Sequence, residues 1–293
     1  MIDEILVKNT VIELLKDAST KLPQDVKNAL QKAYEIEEGP SKSQLEAILK
    51  NIKMAEKSST PLCQDTGIHI FFVGIGDVGS PSIEKKLYDI ITESVREATK
   101  MIPLRPNAVH PLTRNNPGDN VGDHIPYVYF TPIDADYIEI TAMPKGAGSE
   151  NMSQVAMLNP TDGLEGIKKF ALEAVVSAGS NPCPPTIIGI GIGGSTDVSV
   201  MLSKMALLRP IDRRHQDPVV ASLEKELHEA FNALGIGVMG LGGKTTVLGV
   251  NIELGYCHTA SLPVAVNIQC WAGRRATARI YKDGRVEHLT FKK

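Results

Sequence analysis

No C-x-x-C pair occurs in the chain, and its four cysteines, Cys63, Cys183, Cys257 and Cys270, are scattered along it. So few thiols, so far apart, exclude a disulfide scaffold and the usual zinc-ribbon, thioredoxin and ferredoxin spacings. Also missing is a charge-free apolar run long enough to cross a bilayer. The opening M-I-D-E-I-L-V-K-N-T has neither the basic flank nor the apolar stretch of a signal peptide. A cytoplasmic protein without membrane attachment is therefore expected. Charge of one sign is not in excess: the formal net charge is -3 over 293 residues, which argues against nucleic acid as a partner. Internal repeats, low-complexity tracts and linkers are missing too, and the length allows one large domain or two modest ones with ample apolar material for a core.

What the chain does contain is a short polar elbow, P-L-C-Q-D-T-G at 61–67, leading into the strand-like run I-H-I-F-F-V. Pro61 and Gly67 mark it as a tight turn. Cys63 and Asp65 flank Gln64 there, and a soft metal ligand beside a potential proton carrier is a pairing that core packing does not call for. Taken singly, each of the four cysteines is expected to be a buried, inert thiol, because free cysteine is among the most buried residue types. Context separates three of them. Cys63, Cys183 and Cys270 each follow or end a strand, in a turn of small or polar residues. Cys183 stands in S-N-P-C-P-P, whose prolines fix the backbone. Three thiolates are too few for a closed Cys₄ site. They suit a cubane cluster that keeps one iron open, a Lewis acid for a hydroxyl or carboxylate and for a poor leaving group. Asp65 and His258 could then move the proton.

Residues 3–57 read as three helical segments separated by Pro23 and Gly39-Pro40, with Ser41 and Gln44 as a capping box before Leu45, Ile48, Leu49 and Ile52. A buried strand at 68–73 precedes a helix whose Ile83, Leu87, Ile90, Ile91 and Val95 share a face. Residues 101–123 form a long polar loop carrying Arg105, His110 and Arg114, with His124 just beyond. These suit an anionic substrate, although for any one of them taken singly solvated surface is the stronger reading. Strands at 126–131 and 137–142 follow, the second delivering P-K-G-A-G-S-E-N, where small residues leave backbone N–H groups open to an anion beside Lys145, Ser149 and Glu150. A helix at 162–178 and a strand at 186–190 lead to G-I-G-I-G-G-S-T-D and a helix at 198–208. Its G-x-G-x-x-G lacks the first strand of a dinucleotide fold, and Asp212 falls in a loop, so the run reads as an anion-binding helix start. G-L-G-G-K-T-T at 240–246 fails as a P-loop, since Val238 stands where glycine is needed and a helix at 218–234 precedes it. Strands at 246–254, 262–268 and 275–281 and a K-D-G hairpin turn complete an α/β chain.

In order, P-L-C-Q-D-T-G, K-G-A-G-S-E-N, N-P-C-P-P-x-x-x-G-I-G-I-G-G, L-L-R-P, M-G-L-G-G-K-T-T and H-T-A-S-L-P-V-A-V-N-I-Q-C resemble the class I, iron–sulfur-dependent fumarase and L-tartrate dehydratase family, in the part that forms its alpha subunit. The resemblance implies a [4Fe-4S] cluster with one open iron held by Cys63, Cys183 and Cys270, which leaves Cys257 a structural thiol. It implies a pocket lined by Gln64, Asp65, Arg105, Gly146 and His258, with Asp65 and His258 as acid/base candidates. Lys145 and Lys244 have glycine-loop settings compatible with that pocket, while Ala147 replaces a third consecutive glycine of the family. The implied fold is a mixed sheet flanked by helices, α/β (α+β), in one catalytic alpha-subunit domain over 1–293. A helical N-terminal region (1–58) and a cluster- and substrate-binding region (59–293) divide it. Single-chain members continue beyond the last cysteine motif, so a separate beta subunit is expected to complete the active site, in an α₂β₂ assembly. The implied reaction interconverts (S)-malate with fumarate and water, on a small dicarboxylate. L-tartrate dehydration to oxaloacetate is the close alternative, and a nucleotide-binding oxidoreductase or an electron-transfer iron–sulfur protein stand for other classes. An exposed fourth iron is expected to be labile to oxygen.

Overall fold

The computed structural model describes residues 2–291. Helices α1 (Glu4–Thr20), α2 (Gln24–Ile36) and α3 (Gly39–Ser58) lead into β1 (Ile68–Ile75), α4 (Pro81–Met101), β2 (Tyr127–Pro132) and β3 (Tyr137–Lys145). A one-turn helix α5 (Ala147–Glu150) precedes β4 (Gln154–Leu158), α6 (Gly163–Ala178), β5 (Thr186–Ile192), α7 (Thr196–Ala206) and α8 (Pro218–Ala233). Strands β6 (Val247–Leu254), β7 (Leu262–Gln269), β8 (Ala276–Tyr281) and β9 (Val286–His288) follow. The helical N-terminus and helix-flanked mixed sheets that the sequence predicts are what forms. No helix among the described residues is long and apolar enough to cross a membrane. The chain makes two compact units, one from residues up to Pro23, Asn51–Gly146 and Arg274 onward, the other from Gln24–Lys50 and Ala147–Gly273.

In the first unit the strand order is β2-β1-β3-β8-β9, and only the β1–β2 pair is parallel. The period of two along each strand sends Phe71, Val73, Ile138, Ile140, Ala142, Ala278 and Ile280 to one face, where α1 and α4 cover them. On α4 the residues that the helical spacing selects, Ile83, Leu87, Ile90, Ile91 and Val95, are all buried. Each such side chain taken fully out of water contributes about 1.5–3 kcal/mol. α1 starts at Asp3, whose Oδ1 accepts the Leu6 N–H at 2.7 Å. The expected capping box at Ser41 does not form. α3 already begins at Gly39, and the Ser41 hydroxyl donates to the Gly242 carbonyl instead.

The second unit has the order β4-β7-β5-β6, with β5 and β6 parallel and the other pairs antiparallel. Along β5, Ile188, Ile190 and Ile192 pack with α6 and α8, while the opposite face lies under α7. That second face carries Gly189 and Gly191. A Cβ at Gly191 would stand 2.0 Å from the Ser199 carbonyl oxygen, and one at Gly189 2.2 Å from that of Ser203. The glycine run therefore lets helix backbone lie directly on strand backbone. An anion-binding helix start is not what it builds: the first turn of α7 holds the chain's own Asp197, and the Ser195 hydroxyl and nearby backbone N–H groups keep that carboxyl below its usual range.

Candidate active site

The elbow after α3 is held at both ends. Leu62 is buried, its N–H donating to Ser19 O at 2.9 Å and its carbonyl accepting from Asn51 Nδ2 at 2.9 Å. At the far end Gly67 has φ +84°, and a Cβ there would lie 2.7 Å from Lys145 N, so only glycine lets the turn rest on the end of β3. Between these anchors Cys63 and Gln64 are exposed. The polar loop 101–123 is organised by buried Asn120, whose Oδ1 accepts the Asn107 N–H at 2.6 Å and whose Nδ2 donates to Arg105 O at 3.1 Å. Thr66 Oγ1 also donates to Arg105 O, at 3.2 Å, tying loop to elbow. Pro61, Cys63, Gln64, Thr66, Pro103 and Arg105 consequently line one open hollow of about 500 Å³. His110, Arg114 and His124 do not line it. The Nδ1 of His110 instead accepts the N–H groups of Leu112 and Thr113 in a local turn.

Asp65 is half-buried beside this hollow. Its Oδ1 accepts the Gly67 N–H at 3.0 Å and faces Asn107 Nδ2 at 3.4 Å. Its Oδ2 lies 3.0 Å from the point a Cβ on Gly146 would occupy, and Arg274 Nη2 lies 3.2 Å from that same point. Arg274 Nη1 donates to the Asp65 carbonyl at 2.8 Å. Gly146, which the resemblance puts in the substrate pocket, lies against Asp65 and does not line the hollow. Arg274 and Asn107 were not predicted. The signal for Arg274 was weak, a buried guanidinium in W-A-G-R-R four residues after a motif cysteine.

His69 is buried on the same pleat face as Phe71 and Val73, and neither ring nitrogen has a hydrogen-bond partner. Burial, reinforced by the charge of Arg274, pushes its pKa from 6.5 down to about 4. Between those values the unfolded chain binds a proton that the folded one refuses. Stability is therefore complete above pH 6.5 and falls as the pH drops towards 4, by about 3 kcal/mol for this one group. Urea midpoints measured from pH 7 to 4 should fall more steeply for the wild type than for His69→Gln. Equal slopes would remove His69 as the cause.

In the second unit Cys183 is exposed, with φ +56°, a left-handed conformation costly for a residue with a Cβ and typical of positions held for function. Its carbonyl accepts the Trp271 N–H at 3.2 Å, so its loop and the turn at Cys270 are bonded together. Cys63, Cys183 and Cys257 are exposed, Cys270 is partly so, and none forms a disulfide; the burial expected of Cys257 as a structural thiol does not hold. Solvent-reachable thiols on small-residue turns are the donor set that an iron–sulfur cluster takes. No group of three or more His, Cys, Asp and Glu residues suited to a single metal ion occurs among the described residues. His258 is exposed between β6 and β7, and its Nδ1 accepts the Ala260 N–H at 3.1 Å, which leaves the proton of the neutral ring on Nε2. It lines a cavity of about 340 Å³ with Pro160, Leu164, Ile167, Cys257 and Leu262. Cys257 Sγ donates to Ser261 O at 3.3 Å, a structural use of that thiol.

Two motifs turn inward. In G-L-G-G-K-T-T, Oε1 of buried Glu37 accepts the N–H groups of Lys244 and Thr245 at 2.8 and 2.6 Å, and Lys244 Nζ donates to Ile36 O. The chain's own carboxylate fills the anion-binding loop, and Lys244 closes it. In L-L-R-P, Arg209 pairs with fully buried Glu224 and, at 3.1 Å, with Glu253.

A family model described as fumarate hydratase (Fumerase) matches residues 8–279. A Methanocaldococcus jannaschii protein provisionally named L(+)-tartrate dehydratase subunit alpha is 53% identical over 284 residues, which are 96% of this chain and 99% of that one. The L(+)-tartrate dehydratase subunit alpha proteins of Escherichia coli K12 and Shigella sonnei are each 37% identical over 274 residues, 93% of this chain and 90% of theirs.

Proposed function

The chain belongs to the fumarate hydratase (Fumerase) family, as the alpha subunit of a hydro-lyase with a separate partner subunit, and from this premise we propose that it interconverts (S)-malate with fumarate and water. The observation that carries the reading is the hollow where Cys63, Gln64 and Arg105 stand together beside Asp65. In this reading Cys63, Cys183 and Cys270 hold a [4Fe-4S] cluster, and a beta subunit completes the site in an α₂β₂ enzyme. The bound cluster would supply an open iron, a Lewis acid that eases departure of the hydroxyl. Arg105 grips a substrate carboxylate with its fork, and the Gln64 amide orients the neighbouring oxygen. Asp65 has one oxygen tied back to the Gly67 N–H and the other turned to Gly146. It takes the proton from the carbon beside the hydroxyl-bearing one, and returns it in hydration. His258, with a proton on Nε2, is the second carrier, meeting the departing hydroxyl.

The names of the relatives favour L-tartrate, which differs from malate by one hydroxyl and would yield oxaloacetate. Anaerobic assembly with the candidate partner subunit, followed by assays on both acids, separates the two. Malate and fumarate should interconvert with the higher kcat/KM, and the isolated chain should stay near background. Turnover of tartrate alone would move the assignment to tartrate, and turnover of neither would reject the reading.

A further inference from the structure

Taking Asp65 as the proton carrier of the proposed reaction, we propose that Arg274 is the positioning residue that sets its carboxylate over Gly146, without touching substrate itself. Arg274 is buried, and its guanidinium reaches the Asp65 backbone. Nη1 donates to the Asp65 carbonyl at 2.8 Å, fixing the peptide that carries the side chain. Nη2 and Asp65 Oδ2 each border the bare Cα of Gly146, 3.2 and 3.0 Å from where a Cβ would stand. The other carboxylate oxygen is already engaged by the Gly67 N–H. Rotation of the carboxylate would break that bond. The fixed peptide and that bond together restrain its orientation.

The chemistry calls for arginine specifically. A planar fork holds the donor to the Asp65 carbonyl and the nitrogen beside Gly146 at a fixed spacing, whereas a lysine ammonium is a single point charge. Arg274 is not there to complete a bonded core. Its Nε is buried without a hydrogen-bond partner, and the nearby His69 ring makes no hydrogen bond either. Burying an incompletely satisfied cation is costly, and orienting Asp65 is the return on it. Gly146 belongs to the same device, since a Cβ there would press on both groups.

The test uses the assembled α/β enzyme and four variants: Arg274→Gln, Arg274→Lys, Asp65→Asn and Asp65→Asn/Arg274→Gln. Arg274→Gln should lower kcat on the order of a hundredfold, the scale of a small misplacement of a reacting group, with KM for the dicarboxylate and iron content per chain nearly unchanged. Arg274→Lys should restore little. In the Asp65→Asn background, Arg274→Gln should cause no further loss of kcat, because its whole effect runs through Asp65. The same fractional loss in both backgrounds would show a general structural role, and a raised KM at unchanged kcat would make Arg274 a substrate ligand; either overturns the inference. An inactive Asp65→Asn beside a fully active Arg274→Gln overturns the inference alone, whereas a fully active Asp65→Asn overturns the reading of Asp65 beneath it. If Arg274→Gln loses its cooperative unfolding transition, Arg274→Lys supplies the same comparison.

Discussion

Cys183→Ser is expected to abolish hydration of fumarate by the assembled enzyme while leaving a soluble, folded chain. Serine is nearly isosteric but offers a hard oxygen where iron–sulfur clusters take soft thiolate. The residue is exposed, so no core contact depends on its sulfur. Its backbone is set by the surrounding loop, through the Cys183 N–H to Ser180 O and the Trp271 N–H to Cys183 O. Lewis-acid assistance is worth several kcal/mol, so activity should fall by about a thousandfold or more. Cys257→Ser is the control. That sulfur serves the Ser261 carbonyl, a role a hydroxyl fills, and activity should persist. Rates and melting curves for both variants check this. Full activity in Cys183→Ser would exclude it as a cluster ligand.

Asp65→Asn carries the second large effect. The amide keeps the size of the carboxylate and can keep the Gly67 N–H bond through its oxygen, so the elbow should not move. It cannot take up the proton. A positioned general acid–base group contributes about 10²–10⁴-fold, and kcat should fall by that factor with KM changed far less. Steady-state kinetics in both directions test this, since the forward and reverse reactions use the same group. A loss in one direction only would assign Asp65 to binding.

Most of the fold was legible because apolar side chains recur with the right period. Ile83, Leu87, Ile90, Ile91 and Val95 announce α4, and the continuous apolar run at 186–190 announces a strand covered on both faces. β4 was missed because it turns its apolar residues outward: Val155 and Met157 are exposed. The glycine loops were legible as loops but not in purpose. Gly191 makes room for α7, and Glu37, which fills the loop at Lys244, lies 207 residues away in sequence. Of the site, the elbow could be read directly, because a thiol, an amide and a carboxylate in a tight turn have no packing role. The partner of Asp65 could not. Arg274 is 209 residues distant and reaches a backbone carbonyl, which leaves no mark on side-chain patterning.

The central claim is that three particular sulfurs hold one inorganic centre. Iron and inorganic sulfide counted per chain after anaerobic reconstitution test it most directly, in the wild type and in each of the four cysteine-to-serine variants. The wild type and Cys257→Ser should each retain about four irons and four sulfides, and Cys63→Ser, Cys183→Ser and Cys270→Ser should retain almost none. A full complement in any of those three, or none in the wild type, would contradict it.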